Sequence, residues 1–171
     1  MNTNKFLTVM AVLDDKTQAL LKDVQNCITQ NVGKGTQTME IPFHLTLGSY
    51  ATDQVDDVVE RIKAVATVTR AFPIKLLGYD SFGDSVFYLK PEIPDKLISL
   101  RKSFENDFAH SFEWVPHATL FCGGEEQVRA ARAHAPRLTL PIDASIVGIE
   151  LGEFFPAKKI IRINFDDLEE I

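Results

Sequence analysis

The chain has 171 residues, 45% apolar and 25% charged, an ordinary globular composition that excludes a disordered or fibrous protein. At roughly 150 residues per domain, one compact unit spanning 1–171 is expected, large enough for a core of its own. Against 18 basic side chains stand 24 acidic ones, a net −6, so the basic footprint of a protein for long duplex nucleic acid is absent.

In chain order, Phe6-Leu-Thr-Val-Met-Ala-Val-Leu13 is a short apolar run suited to a buried strand. Asp14-Asp15 caps a helix whose inner face carries Leu20, Leu21, Val24 and Ile28, and Gly33-Lys34-Gly35 ends it. Residues 40–48 alternate as a strand. Thr52-Asp53 opens a helix with Val55, Val58, Val59, Ile62 and Ala66 at helical spacing. Residues 72–79 and 85–89 form a hairpin around Asp80-Ser-Phe-Gly-Asp84. After Pro94 comes a helix with Leu97, Leu100, Arg101, Phe104 and Phe108 inward, then a strand over 114–121 and a helix over 125–134. Residues 138–151 and 160–165 make a last hairpin around Phe155-Pro156.

Strand, helix, strand, helix, strand thus occurs over 6–79 and again over 85–150, with 160–165 as a closing strand. His44-Leu45-Thr46-Leu47 falls on His117-Ala118-Thr119-Leu120 at an offset of 73, which also places Gln54-Val55 on Gln127-Val128. No Gly-, Ser- or Pro-rich linker separates the halves. The expectation is therefore an α/β chain of two lobes in one domain, related by a pseudo-two-fold axis, with a shared cleft.

Alternate side chains of a strand share a face. His44 and Thr46 therefore point one way while Leu45 and Leu47 enter the core, and His117 and Thr119 repeat the arrangement. Facing lobes would bring two imidazoles and two hydroxyls together. That tetrad suits transfer at phosphorus: one imidazole takes a proton from the attacking oxygen, the other protonates the leaving oxygen. The hydroxyls donate to the non-bridging oxygens. Nothing in this scheme requires a metal or cofactor. Two chance His-x-Thr-Leu matches among four histidines are expected in roughly one chain in a thousand or fewer.

Paired His-x-Thr motifs in a duplicated α/β chain resemble the 2H phosphoesterase superfamily, which includes the 2′-5′ RNA ligase-like proteins and cyclic phosphodiesterases. The resemblance spans about residues 5–165 and rests on His44, Thr46, His117 and Thr119. It implies an α+β bilobal fold with two antiparallel-rich sheets lining a central cleft, helices outside, and metal-independent action on 2′,3′-cyclic phosphates or 2′-5′ linkages. The Arg that follows the second motif in ligase-like members is missing, because Thr119 is followed by Leu120-Phe121-Cys122-Gly123-Gly124; the substrate stays open. The partner expected is a small nucleotide or an RNA end. Hydrolysis of cyclic oligonucleotide signals, and binding of nucleotides or RNA ends without turnover, are the alternatives.

The fourth residue after each histidine is Gly48 in one motif and Phe121 in the other. On a regular strand Phe121 forms a wall for a base or ribose, with room left opposite by Gly48; past a bulge it turns into the core instead. His110 and His134 sit at expected helix ends, a structural place. Cys122 has the parity of a buried thiol, and Gly33-Lys34-Gly35 lacks the phosphate-loop pattern. Lys158-Lys159 either reaches an anionic substrate at the cleft rim or is a solvated turn. Tyr79, Tyr88, Trp114 and Phe155 offer rings for stacking a base, but they are spread over different strands and are expected to be core or sheet-surface residues. Two cysteines, Cys27 and Cys122, are too few for a disulfide scaffold and fit a reducing cytoplasm. No apolar run approaches the roughly 20 residues of a membrane helix, and residues 1–4 lack a signal peptide's basic start. A cytoplasmic monomer is expected, its acid-rich end Asp166-Asp167-Leu168-Glu169-Glu170-Ile171 solvated.

Overall fold

The computed structural model describes residues 5–106 and 113–165. Phe108, His110, residues 1–4 and the acidic end lie outside them. The elements are β1 (Phe6–Leu13), α1 (Asp15–Val32), β2 (His44–Ala51), a 3-10 turn (Thr52–Gln54), α2 (Val55–Val68), β3 (Phe72–Phe82) and β4 (Val86–Pro91). They continue with α3 (Asp95–Lys102), β5 (Ala118–Cys122), α4 (Glu125–His134), β6 (Ile142–Phe154) and β7 (Lys158–Asn164). The doubled strand-helix-strand-helix-strand order and the closing strand are therefore present.

Local chemistry explains the well-matched boundaries. Asp14 caps α1 by accepting from the Thr17 amide (3.2 Å) and hydroxyl (2.7 Å), and also accepts the Ser145 amide at 2.8 Å. Gly33, at φ 95°, turns the chain out after its N–H has closed on the Thr29 carbonyl. Several boundaries differ from expectation, among them β3 and β6, which run three residues further. Strand β2 starts only at His44, because Pro42 has no N–H to give a ladder and both backbone groups of Phe43 are held by Gln18. Strand β5 starts at Ala118, after Pro116. Helix α3 stops at Lys102, and Phe104 is buried from the following turn instead of from a helical stripe.

All pairings are antiparallel, in the order β2-β1-β6-β3-β4-β5, with β7 also on β6. The two sheets expected are one continuous sheet, because the 13-residue β6 pairs with β3 through Ile142–Ile146 and with β1 beyond that. Leu7, Val9, Ala11 and Leu13 of β1 enter the main core, while Phe6 and Thr8 turn to the opposite face, where a cavity lies. Strands β2 and β5 stand at opposite ends of the strand order yet lie against each other, as the accumulated twist of a strongly coiled sheet permits.

Both edge strands bulge at the same place. Val9 pairs with Gly48 and Met10 with Thr46, skipping Leu47; Phe87 pairs with Phe121 and Tyr88 with Thr119, skipping Leu120. Beyond the first bulge, Gly48 packs so tightly that a Cβ there would fall on the Phe104 carbonyl. Gly48→Ala is therefore expected to cost about 1–3 kcal/mol by overpacking, read as a lower urea midpoint at unchanged slope. An unchanged midpoint would mean the Phe104 turn yields freely.

Candidate functional site

His44 opens β2 and His117 immediately precedes β5. Burial alternates as the strand period requires: Leu45, Leu47, Ala118 and Leu120 are fully buried, while His44, Thr46, His117 and Thr119 keep partial access. Each imidazole folds back on the carbonyl two residues earlier, His44 Nδ1 to Pro42 and His117 Nδ1 to Val115, both at 2.8 Å. A carbonyl only accepts, so Nδ1 carries the hydrogen in each ring, and Nε2 is left for a ligand.

The motif strands are held by groups remote in sequence. On β2, the Trp114 indole donates to the Thr46 carbonyl (2.9 Å) and Arg101 to the Leu47 carbonyl (2.5 Å), with the Arg101 guanidinium over the Trp114 ring. On β5, Gln25 of α1 donates to the Leu120 carbonyl at 2.9 Å, and Gln37 accepts the Cys122 amide at 3.0 Å. Gln18 clamps Phe43 by accepting its N–H at 2.8 Å and donating to its carbonyl at 2.7 Å, fixing the residue before His44. The His117 ring meets Phe82 edge-on at 4.7 Å and Tyr88 at 5.3 Å. None of these holding residues was singled out for the site by motif reading. Gln25 and Arg101 did leave a signal, as polar side chains within apolar helical stripes.

The electrostatics are asymmetric. Burial pushes the His44 imidazole down from 6.5 to about 4, against the raising effect of its Pro42 hydrogen bond, and the neighbouring His117 charge lowers it further. Burial also lowers His117, opposed by its bond to Val115.

A cavity of about 690 Å³ opens beside these groups, lined by His44, Thr46 and Thr119, by α1, and by the segment leading into β2. His117 is not among its lining residues. The expected Phe121 wall is absent: the bulge that skips Leu120 turns Phe121 fully into the core. Nor does Gly48 leave room in the cleft, since the Phe104 backbone takes that space. Cys122 does line the cavity, half-buried, with its thiol pushed up by burial and so a poor nucleophile. Lys158 and Lys159 are exposed at the start of β7 and not on the turn before it, beside a small hollow shared with Glu40 and Glu150. Tyr79 and Trp114 pack on the core, Tyr88 is buried, and Phe155 is exposed at the cavity mouth. His134 ends α4 and its carbonyl accepts the Cys27 thiol. Among the described residues no three metal-ligating side chains converge, and no helix is long and apolar enough to cross a membrane.

An imidazole at about 4 in the folded chain and 6.5 when unfolded means that the unfolded chain binds more protons between those values. Stability is therefore expected to fall as pH drops from 6.5 towards 4, by about 3 kcal/mol from His44 alone. Urea midpoints across that range should show this slope, and His44→Asn should flatten it. An equal slope in the variant would place the effect elsewhere.

The fold is found in solved structures at low sequence identity. A Thermus thermophilus protein, TT0787, superposes with a TM-score of 0.63 at 17% identity, covering 96% of this chain and 100% of that one. A protein described as a phosphoesterase gives 0.61 at 15%, covering 95% and 99%. E. coli LigT with phosphate gives 0.59 at 14%, covering 95% and 98%, and LigT is also known with 3′-AMP, ATP and NADP+. No curated protein sequence matches. The family model of the 2′-5′ RNA ligase superfamily matches residues 39–153, a stretch that contains both His-x-Thr motifs, and the chain belongs to that superfamily.

Proposed function

We propose that the protein is a phosphodiesterase that opens 2′,3′-cyclic phosphates or cleaves 2′-5′ linkages at nucleotide or RNA ends, using His44 and His117 as an acid–base pair. The observation that carries this reading is the matched pair of imidazoles. Each has Nδ1–H tied to a backbone carbonyl, which leaves Nε2 for a ligand, each stands two residues before a threonine, and His44 opens β2 while His117 immediately precedes β5, two strands that lie together. Superfamily membership supports phosphoester chemistry, and the 3′-AMP complex of LigT supports a small nucleotide as the ligand.

For a cyclic phosphate, water attacks phosphorus and the bond from phosphorus to one ribose oxygen breaks. His44 Nε2 takes the proton from water, because the more strongly depressed imidazole is the neutral one. His117 Nε2–H gives its proton to the departing ribose oxygen, and the product is a phosphate monoester. Thr46 and Thr119 donate to the non-bridging oxygens as charge gathers there. The holding bonds to Pro42 and Val115 keep both tautomers ready for these roles.

Each of His44→Ala and His117→Ala is expected to lower kcat on a nucleoside 2′,3′-cyclic phosphate by about 10²–10⁴-fold at preserved folding, and EDTA is expected to leave the wild type unchanged. The rate kcat/KM should form a bell: an acid limb near pH 4, where His44 takes up a proton, and an alkaline limb below 6.5, where His117 loses one. Turnover at the wild-type rate in either alanine variant, or turnover abolished by EDTA, would overturn the mechanism.

A further inference from the structure

Apart from the motif end, the cavity wall is unusual in its chemistry. Its far end is built from three phenylalanines: Phe6 and Phe154 stack at 5.8 Å, and Phe155 meets them edge-on at 5.9 and 5.4 Å. Phe154 is buried, whereas Phe155 is 56% exposed. The exposed ring is thus seated on a buried one and needs little further ordering to receive a planar group. Met39, itself exposed, and Ile41 extend the apolar surface. The wall also carries neutral amides and hydroxyls, Gln25, Gln37, Thr36 and Thr38, and among the described residues Lys22 is its one cation.

A large, preformed apolar surface beside a polar centre is the usual composition of a small-molecule site, and about 690 Å³ falls in the common range of roughly 300–1,000 Å³. Its lysine alone offers little to a ligand with several phosphates. Its rings suit stacking on the face of a heteroaromatic base.

Resting on the proposed phosphodiesterase reading, we infer that the Phe6–Phe154–Phe155 end of the cavity seats the nucleobase of the substrate, with Phe155 as the exposed stacking face. The substrate class is then a nucleoside whose phosphate lies at the ribose 2′ or 3′ position, held by its base at one end and by its phosphate at the other. Phe155 is a specificity residue here and takes no part in the proton transfers. Its place at the cavity mouth departs from the sequence expectation of a core or sheet-surface residue.

The test compares wild type, Phe155→Ala and Phe155→Tyr on adenosine 2′,3′-cyclic phosphate and on glycerol 1,2-cyclic phosphate, which has no base. Calorimetric titration with adenosine 2′-monophosphate runs alongside. Phe155→Ala is expected to raise KM for the nucleotide roughly tenfold, with kcat within about twofold and the glycerol ester unaffected. Affinity for the monophosphate should fall by the same factor, and Phe155→Tyr should retain wild-type values. Equal KM and equal monophosphate affinity in wild type and Phe155→Ala would overturn the base site while leaving the mechanism intact. Loss of turnover of both esters to the same extent would also overturn it, because that result places Phe155 in the fold or the chemistry. A wild type that turns over neither ester refutes the phosphodiesterase reading; the titration then decides the base site alone, since monophosphate binding weakened by Phe155→Ala supports it and binding that is absent or unchanged refutes it.

Discussion

The candidate site depends on how the carbonyls of two bulged leucines are satisfied. Leu47 and Leu120 are skipped by their neighbouring strands, and an unpaired buried carbonyl is costly. Arg101 of α3 satisfies Leu47, and Gln25 of α1 satisfies Leu120. Each donor comes from the repeat that does not contain the leucine it holds. The two motif strands are therefore fastened to opposite halves of the chain, and that cross-fastening accompanies the approach of β2 to β5 across the ends of the strand order. An exposed sheet edge would otherwise be free to pair with another chain. Here the outer edges are occupied by side chains.

The same bulges determine which residues meet the cavity. Before the bulge, the strand period alternates polar and apolar side chains, which is how each His-x-Thr pair shares a face. After it, the period is reset and Phe121 turns inward. Gly48, at the corresponding point of β2, is needed for the close approach of the Phe104 turn, and Tyr50 donates to that same Phe104 carbonyl at 2.9 Å. Aromatic surface is supplied instead from the other side of the cavity, by the start of β1 and the end of β6. In this arrangement the two histidines have unequal surroundings: His44 lines the cavity together with residues of α1, while His117 packs against the Phe82 and Tyr88 rings. Equivalent positions in a sequence repeat thus acquire different proton affinities, chiefly through burial.

Much of this was legible in the residues. Apolar periodicity and capping chemistry located the helices and strands, and where β2 and β5 began late the cause was a proline without an N–H or a side chain competing for the backbone, as with Gln18 at Phe43. The His-x-Thr pairs and their faces followed from the two-residue strand period, because that period is a local property of the backbone. The superfamily, too, was within reach of those four side chains.

What the chain alone did not disclose depends on contacts between distant residues. No local pattern announces that β6 is long enough to join all strands into one sheet, that Gln25 reaches Leu120 across 95 positions, or that a bulge follows each motif. The position of Phe155 beside Phe6 requires the two ends of β1 and β6 to be paired. Sequence therefore determined the elements and the polar tetrad, since both arise from periodicity within a few residues. Tertiary structure decided the bulges, the cavity and the unequal histidines, since each depends on which remote groups supply hydrogen bonds and exclude water.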